Sequence, residues 1–355
     1  MTPLHLVGSP YGRGRGQGNG ALAAKVRLAT VGRVAIARAE GLLDAAALDY
    51  LAAQRAWHDL HDPEGMSELL GSAEAFGLPE PDLFCHLHLG TLRDLKGGAA
   101  MIDGCSAWAA AEGPDGPLVV KNRDTSGLHL GIQSLSRHQG PDVTMGAMIC
   151  LGSLGSPGAY SSGLNARGFA LADTQVPVAT HRVGWLRYFL MTRLLARCAT
   201  VAEALAMIRN APHAGGGTLV MADAGGALAA VELGAGTVTV AQAPDAVWRT
   251  NHYTTPALAA DTLRPRDDTI ADTSQARFDW LAATLPRRRW DAAGAARLMA
   301  THAADAPGAG PICQHADQQD GGTISSVVYS CKLRKVDICE GNPCTGTWQS
   351  VCLTI

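Results

Sequence analysis

Cys105 follows a glycine and opens the stretch "GCSAWAAAEGPDGPLVVKNRD", whose far arm carries Asn122, Arg123 and Asp124. A thiol attacks carbonyl carbon as its thiolate, and a neighbouring carboxylate alone makes that thiolate costlier. A second group must take the proton. Cutting the Gly104–Cys105 peptide bond would supply one, because Cys105 would then carry a free α-amino group with an ordinary pKa of about 7.7 to 8.0. Gly104 suits the cutting step: without a Cβ it tolerates the backbone geometry in which the Cys105 thiol reaches the preceding carbonyl. The product is an ester-linked intermediate that water resolves, and Asp124 is positioned to hold the new amine. If "GPDG", residues 113–116, forms the turn of the hairpin, Glu112 lies opposite Pro117 and Cys105 opposite Asp124, with Cβ atoms ~4.5 to 5.5 Å apart. A slip of one residue would bring Arg123 there instead.

The elements that must carry this hairpin change character near Gly104. Residues 21–70 are rich in Ala, Leu, Arg and Glu at helical spacing, as in "LLDAAALDYLAAQRAWHDL". Pro79 and Pro81 then interrupt the pattern, a short segment "DLFCHLHLGTLRDL" follows, and Gly97-Gly98 loosens the chain. After Gly104, "CSAWAAA", "PLVVKNR", "VTMGAMICLG" and "GAYSSGLNARGFALADT" read as strands separated by turn residues. Two helices come next, "VGWLRYFLMTRLLAR" and "TVAEALAMIRNA", the second with a capping box of Thr200 and Glu203. Strands resume in "GTLVMAD", "ALAAVEL", "TVTVAQA" and "AVWRTNHY"; two further helical stretches lead to a closing hairpin, "TISSVVYSCKLRKVDICEG". Strands, helices and strands in blocks predict an α+β layered fold with antiparallel sheets.

Composition narrows the function. The 355 residues are 47% hydrophobic and 17% charged, enough to fill a sizeable core. A net charge of −3, with only short basic clusters at Arg13 and Arg15 and at 287–289, gives no field for nucleic acid. The opening residues lack the charged and apolar regions of a signal peptide, and no apolar run is long enough to span a membrane, so a cytoplasmic protein is expected. The nine cysteines are an odd number, scattered, and read mostly as buried thiols. Cys331, Cys339, Cys344 and Cys352 lack C-x-x-C pairs, and Cys85-His86-Leu87-His88 would bring both imidazoles to one face only if extended, so no metal and no cofactor is expected.

"DGCSAW" followed by "KNRD", with "GSPYGRGRGQG", "GLNARGFAL" and "TNHY" alongside, resembles the self-processing N-terminal nucleophile hydrolases of the penicillin-biosynthetic acyltransferase type, the peptidase C45 group. The resemblance implies a four-layer αββα sandwich. It makes Gly104–Cys105 the self-cleavage point, residues 1–104 a small subunit that stays bound as a partner, and residues 105–355 the large catalytic subunit. It makes Cys105 the nucleophile, places Asp124 beside it, and assigns Asn251 of "TNHY" as the amide that stabilises the oxyanion; Asn122, Arg123, Asn165 and His252 are site neighbours. The substrate class it implies is a small-molecule amide or acyl donor. Two departures stand out: "HADQQDGG" holds no arginine where the penicillin-related member grips a carboxylate, and Gly12 and Gln17 stand where an acidic residue and a histidine are usual.

Two other readings compete. In one, an uncut cysteine hydrolase uses His252 to deprotonate Cys105. In the other, the chain is a binding protein whose "YGRGRGQGNG" forms an anion nest. Trp185, Phe189 and Trp280 are candidates for an apolar acyl pocket, although apolar residues at helical spacing more often belong to a core.

Overall fold

The hairpin that begins at residue 106 is the centre of the molecule. Its arms, β2 (Ser106–Ala110) and β3 (Leu118–Thr125), pair antiparallel with Ser106 opposite Asn122 and Ala110 opposite Leu118. The register is therefore the slipped one, which aligns Cys105 with Arg123 rather than Asp124. The cause is at the tip: Ala111 donates its N–H to Asp245 O, and the tight turn closes from Gly116 N to Gly113 O, so the reversal spans 112–116.

The computed structural model describes residues 1–98, 104–264, 269–306, 308–315 and 321–353. Before the hairpin come β1 (Leu4–Val7) and six helices, α1 (Pro10–Gly16), α2 (Ala23–Arg27), α3 (Arg33–Ala39), α4 (Ala45–His61), α5 (Pro63–Ala75) and α6 (Glu80–Asp94). After it come β4 (Gln133–Gln139), β5 (Met148–Ser153), β6 (Ser162–Asn165), β7 (Ala170–Thr174), α7 (Arg187–Arg197), α8 (Val201–Arg209), β8 (Thr218–Ala222), β9 (Leu228–Leu233), β10 (Val238–Ala241) and β11 (Ala246–Arg249). The chain ends with α9 (Pro256–Ala259), α10 (Thr269–Thr284), α11 (Ala292–Met299), β12 (Gly322–Ser330), β13 (Lys335–Glu340) and β14 (Trp348–Cys352).

The strands form an eight-stranded sheet, β1-β4-β5-β6-β7-β8-β9-β10, and a six-stranded sheet, β11-β2-β3-β12-β13-β14. Every pair is antiparallel except β1 with β4, which is parallel. Alternation along the strands divides their side chains between two cores. Ala107, Ala109, Val119, Val327 and Tyr329 of the smaller sheet pack against Leu135, Ile149, Leu151, Leu164 and Val220 of the larger one. On the far side of the larger sheet, Cys150, Leu171 and Met221 meet Leu69 and Phe84 of α5 and α6 and Phe189, Leu194, Leu205 and Ile208 of α7 and α8. On the far side of the smaller sheet, Trp108, Val120 and Val328 meet Leu281 of α10 and Leu298 and Met299 of α11. Helix, sheet, sheet, helix is thus the layer order, the αββα sandwich.

Two local readings are corrected and one element is added. "YGRGRG" is neither a loop nor an anion nest but helix α1, with Ser9 accepting from Gly12 N at its start. Its glycines are contact surface: a Cβ on Gly14 would lie 2.1 Å from Glu68 O, and one on Gly71 2.2 Å from Tyr11 O, so α1 and α5 touch backbone to backbone. The segment holding Cys85, His86 and His88 is helical, because Pro79 and Pro81 sit at its N-terminus where proline is tolerated. Finally, "LHLV", which lies outside the helical stretch 21–70, is an edge strand that the sequence pattern alone leaves unassigned.

Candidate active site

Cys105 precedes β2 and lines a cavity of about 560 Å³ whose walls come from α3 and α6 on one side and β3, β7 and α7 on the other. Its side chain is 6% exposed, and Sγ lies 3.6 Å from the main-chain oxygen of Asp124. The thiol thus lies against the Asp124 backbone, in the register that aligns Cys105 with Arg123. A bulge between Thr323 and Ser325 of β12 falls opposite the Arg123–Asp124 step, where a bulge re-aims the side chains it faces.

The Asp124 carboxylate is fully buried and is joined to the Gly104–Cys105 bond through Gln314. One Nε2 donates to Gly104 O at 2.9 Å and to Asp124 Oδ2 at 3.0 Å. A Cβ on Gly104 would stand 2.3 Å from that same nitrogen, so a larger residue here would displace the Gln314 amide. Gln314 was not singled out in the sequence; it follows Asp124 by 190 residues, and nothing local marks it.

Arg277 of α10 was missed as well. It is fully buried, donates Nη1 to Cys105 O at 2.7 Å and to Ser106 Oγ at 2.9 Å, and donates Nη2 to Asn251 Oδ1 at 3.0 Å. Burial pulls its pKa down to about 10, opposed by Asp124 and Cys105. With Ser274 and Leu281 it forms a buried stripe at helical spacing, so the available signal was a lone charge on an apolar helix face. Asn251 is 3% exposed; its Nδ2 donates to Gln175 O at 2.9 Å and its backbone N–H to Ser274 Oγ at 2.8 Å. One amide N–H of Asn251 thus has a partner, and Gln175 itself lines the cavity.

The other expected neighbours divide. Arg123 lines the cavity and reaches across to the larger sheet, donating to Gly152 O at 2.9 Å and Ser153 Oγ at 3.0 Å. Asn122 points the opposite way and donates to Met299 O and Ile312 O, fastening the end of α11 to the smaller sheet. Asn165 caps its own turn, accepting from Arg167 and Phe169 N–H and donating to Leu195 and Cys198 carbonyls, and is not among the cavity residues. His252 shares its Nδ1 with Ser274 Oγ at 2.8 Å, and burial with Arg277 nearby pushes its pKa down to about 4. It does not line the Cys105 cavity, so the Cys105–His252 pair gains no support from this geometry.

Trp185 and Phe189 belong to the outer core and Trp280 packs beside the core under α10, as apolar helical stripes usually do. The apolar part of the cavity wall comes instead from Ile36, Leu87, Leu89, Leu128 and Tyr188, alongside Arg33 and Arg93. Beneath them Asp173 sits between Lys121 and Arg187 Nε, the latter at 2.6 Å. Burial alone would push the Asp173 carboxyl up, but the two cations outweigh it and hold its pKa below the ordinary value. Among the described residues no helix is long and apolar enough to cross a membrane.

Two antiparallel-dominated sheets face to face between helical layers form the αββα architecture of the N-terminal nucleophile hydrolases. The chain belongs to the acyl-coenzyme A:6-aminopenicillanic acid acyl-transferase family, whose model matches residues 111–345. Among solved structures it is similar to a variant of conjugated bile acid hydrolase from Clostridium perfringens, with 11% identity over 70% of this chain and 97% of that one and a TM-score of 0.48. It is also similar to penicillin V acylase from Agrobacterium tumefaciens, with 14% identity over 70% and 86% of the two chains and a TM-score of 0.40. No curated protein matches the sequence significantly.

Proposed function

We propose that this chain is a self-activating amidohydrolase or acyltransferase that carries its acyl group as a thioester on Cys105. The observation that carries the reading is the single amide nitrogen of Gln314 shared between the Gly104 carbonyl and the Asp124 carboxylate, beside a cavity that Cys105 and Asp124 line.

In the activating step, Cys105 Sγ adds to the Gly104 carbonyl carbon while Gln314 Nε2 stabilises the oxygen. The C–N bond breaks, the thiol proton passes to the departing nitrogen, and Gly104 is left as a thioester on Cys105. Water then hydrolyses that ester, leaving a Gly104 carboxylate, a free thiol and a free α-amine. Residues 1–104 become the small subunit and 105–355 the large one. In turnover, the Cys105 amine takes the thiol proton, the thiolate adds to a substrate carbonyl, and the second amide N–H of Asn251, a residue held next to the cavity wall through Gln175, is the proposed donor to the oxyanion. A donor of this type supplies ~2.7 to 4 kcal/mol of transition-state stabilisation. The amine product leaves with the proton, and water or a second amine resolves the thioester. Arg277 holds the Cys105 carbonyl and Asn251 in one frame. The cavity, part apolar and part cationic, suits a small-molecule amide with an apolar acyl portion and a polar or anionic remainder.

Intact-mass measurement of the purified chain decides the first step. Wild type is expected as two co-purifying pieces, the larger beginning at Cys105, and Cys105→Ala as one chain of about 36.9 kDa without amidase activity. An uncut wild-type chain with full activity, or a Cys105→Ala chain that still turns over amides, would sink the proposal.

A further inference from the structure

Away from the cavity, four side chains from three separate segments converge on one point: His302 just past α11, Cys313 and His315 on the approach to β12, and Cys344 in the turn between β13 and β14. Their ligand atoms all lie within 4.8 Å of one another. His302 Nε2 is 3.2 Å from His315 Nε2, Cys313 Sγ is 3.6 Å from both Cys344 Sγ and His315 Nε2, and His315 Nε2 is 3.0 Å from Cys344 Sγ.

Hydrogen bonding does not account for this arrangement. His302 Nδ1 lies 2.7 Å from Asp305 Oδ2 and so donates its proton there, which leaves Nε2 as a lone pair in the neutral ring. The single His315 Nε2 faces three neighbours and carries at most one proton. Four soft or borderline donor atoms pointing inward is what a metal ion requires. For tetrahedral zinc, with Zn–S near 2.3 Å and Zn–N near 2.05 Å, the edges are about 3.8 Å for S–S, 3.5 Å for S–N and 3.3 Å for N–N. Three of the four separations lie within about 0.2 Å of those edges, and the His315–Cys344 one, at 3.0 Å, is shorter by about 0.5 Å. The Asp305 contact is the carboxylate–histidine support that fixes the tautomer of a metal-bound imidazole, and Asn342 Nδ2 approaches Cys313 Sγ at 3.7 Å as a further outer contact. Thiolate and imidazole together favour zinc over magnesium or calcium.

We propose that His302, Cys313, His315 and Cys344 bind one zinc ion in a closed structural site. Loading releases the two thiol protons and makes no other bond change. The ion would tie the end of α11 and the β13–β14 turn to the segment 313–315, and with it the backbone of Gln314. The proposal stands on its own coordination geometry and holds or fails whether or not Cys105 is a nucleophile.

The test is metal analysis of the reduced, full chain after desalting into metal-free buffer. One zinc per chain is expected for wild type and for Cys352→Ser, and a loss of most of it for Cys344→Ser and His302→Ala. Wild type with no zinc above the buffer blank, or Cys344→Ser with a full complement, overturns the proposal; so does a Cys313–Cys344 disulfide in the protein as isolated. Should the variants fold poorly, cobalt(II) exchanged into wild type decides it. Intense tetrahedral d–d bands with a thiolate charge-transfer band are expected, whereas the weak bands of octahedral cobalt refute the site.

Discussion

The guanidinium of Arg277 donates to the main-chain oxygen of Cys105 at 2.7 Å, and its other arm holds Asn251 at 3.0 Å. Two groups far apart in sequence are thereby set at a fixed separation. A lysine cannot span both acceptors with a planar fork. Arg277→Lys is expected to lower kcat by about 100-fold through misplacement, with KM nearly unchanged. Steady-state kinetics on a small amide substrate checks this, and a KM change without a kcat change would assign Arg277 to substrate binding instead.

Gln314 is expected to govern the rate of the proposed self-cleavage. Gln314→Ala removes the donor to Gly104 O and is predicted to slow disappearance of the full-length chain by about 100- to 1000-fold, the range for loss of one oxyanion donor. A time course after synthesis, read by gel or mass, measures it. Unchanged kinetics would leave Gln314 with only a packing role.

Acid should loosen the helical half of the molecule. Burial holds the imidazoles of His58 and His86 down to about 3 and that of His88 to about 4. All three are therefore neutral in the fold and protonate near pH 6.5 once unfolded. The stability they contribute is complete above about pH 6.5 and is lost as pH falls from there through the folded values, with a slope of about 1.4 kcal/mol per pH unit for each extra proton taken up on unfolding. His58 packs on Phe189 with ring centroids 4.5 Å apart, so His58→Phe is expected to flatten the slope between pH 6 and 5 by up to one proton. Urea unfolding at pH 7, 6 and 5 tests it.

The contact between α1 and α5 makes a contrasting pair of substitutions. Gly14→Ala drives a methyl into Glu68 O and is expected to destabilise the fold by about 1 to 3 kcal/mol. At Gly20 a Cβ meets nothing within 4 Å, so Gly20→Ala should be close to neutral. Thermal melts of the two variants separate close packing from a general intolerance of change in this region.

What the sequence revealed follows from the range of the forces involved. Short apolar runs bounded by glycines and turn residues, such as β8 and β9, and amphipathic α7 and α8, were legible because turn chemistry, period and capping are local. The register of the β2–β3 hairpin was one residue off, since it depends on Ala111 bonding to Asp245 across to another strand. Four-residue β1 carries too little pattern to be seen at all. Gln314 and Arg277 reach Cys105 only through the tertiary fold. The His302–Cys344 cluster was hidden for the same reason: its ligands come from separate segments, and of Cys331, Cys339, Cys344 and Cys352 only Cys344 belongs to it, joined by Cys313.

β1 is the one parallel member of its sheet and lies at an edge, bonded along β4 from Leu4 to Val7. Under the proposed cut after residue 104, that ribbon would cease to be an internal pairing and become an association between two molecules. Dilution, which leaves the melting of an unbroken polypeptide untouched, would then lower the melting temperature of the nicked form. The first hundred residues would behave as a tightly held ligand of the rest.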